Sequence, residues 1–147
     1  MLALGRETTM PYKIVTLTEK QFKDIDTRLA DYDNNVGIEV KDDIQIGTFH
    51  DGKLIAGAGA GTSDFRKIYV YTLFVDEEFR GKGIGRQLME AIENEALSLG
   101  ANMIRLNTYN SQSLGFYVKM GYEQFGSYEN EEDGYTEYFF IKKLYKR

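Results

Sequence analysis

The chain has no cysteine, no tryptophan, one proline and one histidine among its 147 residues. Without cysteine there is no disulfide, no thiolate metal site and no cysteine nucleophile. The lone imidazole, His50, removes most histidine-based metal sites, and no metal is expected. No run approaches the roughly 20 apolar residues of a membrane span, so no membrane contact is expected. Positive charge is also short. The formal net charge is −5 and the pI about 5.0. Nucleic-acid binding leaves a basic footprint that the whole chain lacks. Met1 to Thr9 carry no basic-then-apolar export pattern. A cytoplasmic protein is the expectation.

What is present is a globular balance of 42% apolar and 28% charged residues, with 11 Tyr and 9 Phe. Tyrosine joins an apolar ring to a polar tip, so several are expected along a pocket or an interface. The length suits one domain. Met10-Pro11-Tyr12 reads as a second start, leaving residues 1–9 as an extension and 10–147 as a single domain.

Periodicity gives the element order. Tyr12 to Leu17 alternates weakly and predicts a first strand. Thr18 and Gln21 form a capping box ahead of Phe22, Ile25, Leu29 and Tyr32 at helical spacing. Asn34 to Asp43 reads as loop or short helix. Asp51-Gly52 predicts a hairpin turn between strands Ile44–His50 and Lys53–Thr62. Lys67 to Val75 is the most β-prone run and suits a central strand. Ile84, Leu88, Ile92, Ala96 and Leu99 mark a helix ended by Gly100. A strand at Met103–Thr108, a short helix at Ser113–Met120 and strands at Tyr122–Tyr128 and Tyr135–Leu144 follow. The expected order is β-α-β-β-β-α-β-α-β-β, an α/β (α+β) domain.

Between the strand ending at Val75 and the helix opening at Ile84 lies Asp-Glu-Glu-Phe-Arg-Gly-Lys-Gly, then Ile84-Gly85-Arg86. Glycines let backbone N–H groups converge, and a helix N-terminus adds its positive dipole end, so the segment suits a phosphate or pyrophosphate. Arg80, Lys82 and Arg86 add positive charge. The P-loop pattern fails, because Lys82 is followed by Gly83 and not Ser or Thr. The dinucleotide fingerprint G-x-G-x-x-G fails too, because Gly81, Gly83 and Gly85 give G-x-G-x-G. Arg80, Gly83 and Gly85 do fit Q/R-x-x-G-x-G/A. The alternative is a glycine-rich turn that only packs a helix close to a sheet.

With that match the chain resembles the GNAT superfamily of N-acetyltransferases, over about Ile44 to Leu144. Asn110, Ser113, Tyr117, Gly121 and Tyr122 are similar to the family's later motif, with Ser113 where Ala is common. The resemblance implies a mixed, mostly antiparallel central sheet flanked by helices, and acetyl-CoA as cofactor. It implies pyrophosphate on the backbone of Arg80, Gly81, Lys82, Gly83, Ile84, Gly85 and Arg86. Leu73, Phe74 and Val75 look like the strand end that pairs with pantetheine. A backbone N–H near Leu73 or Phe74 would polarise the thioester carbonyl. Asn110 would bond the pantetheine arm or cap the short helix. Tyr117 would point at the cofactor sulfur as general acid; its other reading is a core tyrosine, and the two are compatible.

The implied reaction is direct attack by an amine, small or on a protein, with a homodimer as an option for assembly. Many relatives carry a Glu on the central strand near Tyr69 and Tyr71, and this chain has tyrosines there. Either water held by Tyr71, Thr72 or Glu39 carries the proton or the acceptor arrives with a low pKa, and no base is assigned. The missing Glu favours the alternative function, a non-catalytic acyl-CoA-binding sensor.

Three further features are weighed. His50 precedes a turn and is expected to be exposed, away from the chemistry. Ala56 to Gly61 alternates Ala and Gly, which suits helices packed on both faces of a strand or a smooth floor for the acceptor. The acids Glu129, Glu131, Glu132 and Asp133 read as a solvated loop or as a field that draws in a cationic amine.

Overall fold

In the computed structural model the described residues are 11–34, 37–38 and 42–145. The chain divides into two compact units, residues 1–35 and 36–147.

Among the described residues the first unit holds one helix, α1 (Glu19–Tyr32). Its capping box forms: the Thr18 hydroxyl accepts from the Gln21 N–H, and the Gln21 side chain accepts from the Thr18 N–H at 3.0 Å. That satisfies two of the donors a helix start leaves free. Tyr12 to Leu17, expected as a strand, is irregular and pairs with no strand among the described residues. Weak alternation marks a segment that could be a strand; a strand exists only where a neighbour takes its N–H and C=O groups.

The second unit is a six-stranded sheet, β1 (Ile44–His50), β2 (Lys53–Thr62), β3 (Lys67–Val75), β4 (Met103–Thr108), β5 (Glu123–Asn130) and β6 (Tyr135–Lys143), in the spatial order 1-2-3-4-6-5. Only β3 and β4 run parallel. The β1–β2 turn at Asp51-Gly52 has φ of 49° and 77°, the left-handed pair that a two-residue hairpin turn requires. Helices α2 (Ile84–Ser98) and α3 (Leu114–Lys119) connect the strands.

One face of the sheet is aliphatic. Ala56, Ala58, Ala60, Ile68, Val70, Ile104, Leu106 and Phe140 are buried against Leu88, Met89, Ile92 and Ala96 of α2. Burial of this apolar surface is the main drive for the unit to fold. The small alanines let α2 approach closely. A polar tie lies within this layer: Glu93 of α2, 8% exposed, accepts from the Lys142 ammonium, which also donates to the Met120 carbonyl at 2.7 Å.

Two of the β2 glycines face side chains, and Gly57 faces the Ile46 carbonyl. A Cβ on Gly59 would come within 2.6 Å of the Tyr71 ring, and one on Gly61 within 3.1 Å of the Asp43 carboxylate. The Tyr71 hydroxyl donates to Asp43 and accepts from Gln45, both at 2.9 Å.

Candidate active site

The site begins with a fork in the sheet. The parallel β3–β4 pairing runs from Lys67/Met103 only to Val70/Leu106. At that point the β2–β3 register shifts, and Tyr71 is the extra residue between Val70 and Thr72. A bulge of this kind bends a strand and re-aims its side chains. Beyond it Thr72 to Val75 stay paired with β2 while their β4 side is free. The backbone of Leu73 and its neighbours is therefore open on one edge, beside β4.

After Val75 the chain makes a short 3-10 turn, Glu77–Phe79, and enters α2 through the glycine loop. Gly81 and Gly83 have φ of 76° and 85°, and a Cβ at either would meet nothing within 4 Å. Glycine is needed there for its backbone conformation, not for room. The first N–H groups of α2 have no intrahelical acceptor. The Arg80 Nε donates to the Val75 carbonyl at 2.7 Å, and its guanidinium lies over the Phe74 ring at 5.4 Å. Arg80 thus ties the loop back onto β3.

From the other side comes the β4–α3 connection. The Asn110 side chain accepts from the Gln112 N–H at 2.9 Å and caps the turn that leads into α3. Tyr117 on α3 is 7% exposed, with its ring 5.4 Å from Phe140 and 5.9 Å from Tyr122. Burial raises the pKa of its phenol.

Between these walls lies a cavity of about 840 Å³. Of the residues singled out in the sequence, Leu73, Phe74, Val75, Arg80, Gly81, Gly83, Ile84, Gly85, Arg86, Asn110, Ser113 and Tyr117 all line it. Lys82 does not; its ammonium lies over the Phe79 ring, 5.3 Å from the centroid. The sequence reading missed Phe79, Thr108, Gln112, Phe116, Lys119 and Met120, which complete the wall. Phe79 and Phe116 each stand next to a residue that was chosen, so chain adjacency was the available signal.

With this geometry in hand, comparison with known proteins is decisive on one point. Residues 9–122 match the acetyltransferase (GNAT) family. The chain belongs to that family. It is 32% identical over 87 residues to an acetyltransferase of Agrobacterium fabrum, covering 59% of this chain and 64% of that protein. It is 40% identical over 62 residues to the peptidyl-lysine N-acetyltransferase YjaB of Salmonella typhimurium, covering 42% of this chain and 41% of that one. The chain thus spans less than two thirds of the length of these two relatives. An acetyltransferase structure from Bacillus cereus superposes with a TM-score of 0.71 at 27% identity, over 90% of this chain and 98% of the other. The mixed, mostly antiparallel sheet with flanking helices is the GNAT fold.

Within this GNAT site His50 has the exposed side chain expected of it, and its ring lies 5.2 Å from that of Phe79, a cavity residue. The Tyr69 hydroxyl donates to the Asn107 side-chain oxygen at 2.5 Å, and the Tyr71 hydroxyl is held by Asp43 and Gln45. Glu39 lies outside the described residues. Among the described residues no group of His, Asp or Glu is arranged to hold a metal, and no helix is long and apolar enough to cross a membrane.

Proposed function

We propose that this protein transfers an acetyl group from acetyl-CoA to an amine acceptor by direct attack. The observation that carries this reading is the single cavity shared by the glycine loop, the unpaired edge of β3 and Tyr117. Its volume is within the usual range of roughly 300–1,000 Å³ for ligand sites. The cofactor fits the residues present. Gly81 and Gly83 leave an open cradle, and a helix N-terminus favours an anion.

When bound, acetyl-CoA supplies a thioester already activated toward an amine. The N–H groups of Gly81 to Arg86 would hold its pyrophosphate. The free β3 edge at Leu73 to Val75 would bond the pantetheine amides. Asn110 and Ser113 would flank that arm. A backbone N–H near Leu73 or Phe74 would face the carbonyl oxygen as charge develops on it. Tyr117 stays protonated well above neutral pH because it is buried, so it can give its proton to the departing sulfur. The acceptor is a cationic amine. The YjaB relative is named for peptidyl-lysine, which places a protein amine beside small amines in the set to be tried.

The test is thiol release from acetyl-CoA across polyamines, aminoglycosides, amino acids and peptides with free N-termini or lysines. Melting temperature is measured with and without CoA. Release with an amine, together with a CoA-raised melting temperature, supports the reading. Stabilisation without release for any amine leaves the acyl-CoA-binding sensor. Neither response removes both.

A further inference from the structure

Acetyl transfer needs somewhere for the amine's proton to go, and β3 carries tyrosines where a carboxylate would serve. A carboxylate reaches the base of the fork from a different strand. Asn107 is the first residue of β4 beyond the last pair with β3. Its side-chain N–H₂ donates to the Glu137 carboxylate on β6, and its oxygen accepts from the Tyr69 hydroxyl. Both donors therefore point one way, from Tyr69 through Asn107 to Glu137. An amide cannot relay a proton here, so Asn107 orients and Glu137 accepts.

A second phenol lies close to the same carboxylate. The pKa of the Tyr109 phenol is raised, first by the negative charge of Glu137, then by desolvation and by hydrogen bonding to that carboxylate. Tyr109 sits in the chain between Thr108 and Asn110, and both of these line the cavity. The Tyr109 and Tyr135 rings meet edge to face at 5.4 Å. Aromatic faces beside a carboxylate suit an alkylammonium. An ionised carboxylate has about four lone-pair positions, so the Asn107 donor leaves acceptor capacity for a substrate. Among the described residues Glu137 has no ion-pair partner. Tyr69, Arg105, Tyr128 and Tyr135 are on this face, with Lys67, Glu123 and Lys143 further along it by register and Tyr71 with Asp43 toward β2. Tyr128 stands opposite Glu137 in β5, and the Arg105 guanidinium lies over the Tyr69 ring at 4.4 Å.

We infer that Glu137 is the general base, taking the proton of the acceptor ammonium at the base of the β3–β4 fork. This rests on the acetyl-transfer reading above. The nitrogen loses one proton to Glu137, directly or through one water, and Glu137 passes it to solvent. The freed lone pair forms the bond to the acetyl carbon as the carbon–sulfur bond breaks, and that electron pair leaves on sulfur. Sulfur takes the Tyr117 proton. The second nitrogen proton, released as the amide forms, restores Tyr117 through solvent. Net, one proton leaves per acetyl group transferred. Attack draws the first transfer forward by consuming the neutral amine.

The experiment uses Glu137→Gln, which keeps an acceptor for Asn107 and removes the base. Calorimetry with CoA and a melting curve establish that the variant is folded and loaded. With a primary alkylamine, kcat/KM at pH 7 should fall about 10²-fold. The deficit should narrow as pH rises toward 9, because solvent then delivers more neutral amine. Glu137→Asp should show a smaller loss with the same pH trend, and it serves if the Gln variant does not fold. Unchanged kcat/KM overturns the assignment while leaving acetyl transfer intact. A deficit equal at every pH does so too, since it marks an anchor and not a base. If the unaltered protein binds CoA yet releases thiol with no amine, the acetyl-transfer reading fails, and Glu137 fails with it.

Discussion

The two faces of the sheet are built on different physics. The face toward α2 is closed by Ala56, Ala58, Ala60, Ile68, Val70 and Phe140 under Met89 and Ile92. The opposite face carries Tyr69, Tyr71, Asn107 and Glu137 in directional contacts that join residues 28 to 38 apart in sequence. Apolar burial needs volume and periodicity but no particular partner. A hydrogen bond needs one partner at one angle, and a buried polar group left without it is costly. The first face therefore tolerates exchange of like for like. The second does not, and it is the face where the fork opens.

The sharpest way to break this contrast is in the core. Met89 is fully buried, so Met89→Ala should cost about 2–5 kcal/mol in urea unfolding. A loss below about 1 kcal/mol would mean that α2 is not seated as described. Tyr117 belongs to both worlds, packed on Phe140 yet open to the cavity. Tyr117→Phe keeps the ring, so CoA affinity should barely move while kcat falls about 10²-fold, or about 2.7 kcal/mol of barrier. Equal turnover would make Tyr117 a packing residue only. On the polar face, Gly59→Ala drives a methyl against the Tyr71 ring and should cost about 1–3 kcal/mol. Combining it with Tyr71→Ala should recover part of that loss, because the pair is in contact; additive losses would show that the glycine answers to something else. The smallest effect is expected at the β5–β6 turn. Asn130 already binds the Asp133 N–H and side chain, so Asp133 is a turn residue. Replacing Glu129, Glu131 and Glu132 with Gln should lower kcat/KM for a polyamine a few-fold, an effect that fades above about 0.1 M salt. A neutral-tailed amine should be unaffected, and identical responses would leave the turn merely solvated.

The glycine-loop wall of the cavity was legible because its signals are contiguous. Arg80, Gly83 and Gly85 stand within six residues, and one strand-to-helix junction sets both the glycine conformations and the free N–H groups. The hairpin at Asp51-Gly52 and the Thr18–Gln21 cap are local in the same way. Tyr12 to Leu17 shows the limit: its alternation was read correctly, but alternation does not supply a pairing partner. His50 shows a second limit, since nothing in a turn sequence says that its ring meets Phe79. Glu137 shows the third. It is one acid among many in an acidic chain, and only the β4–β6 register brings it to Asn107.

By itself, then, the sequence determined the elements of the sheet unit and the phosphate-suited loop, because periodicity and turn chemistry act over a few residues. Only the tertiary structure decided where β3 parts from β4, which side chains meet Gly59 and Gly61, and which carboxylate meets the tyrosines. Those outcomes depend on registers between strands far apart in the chain, and a one-residue slip would turn every such side chain to the other face.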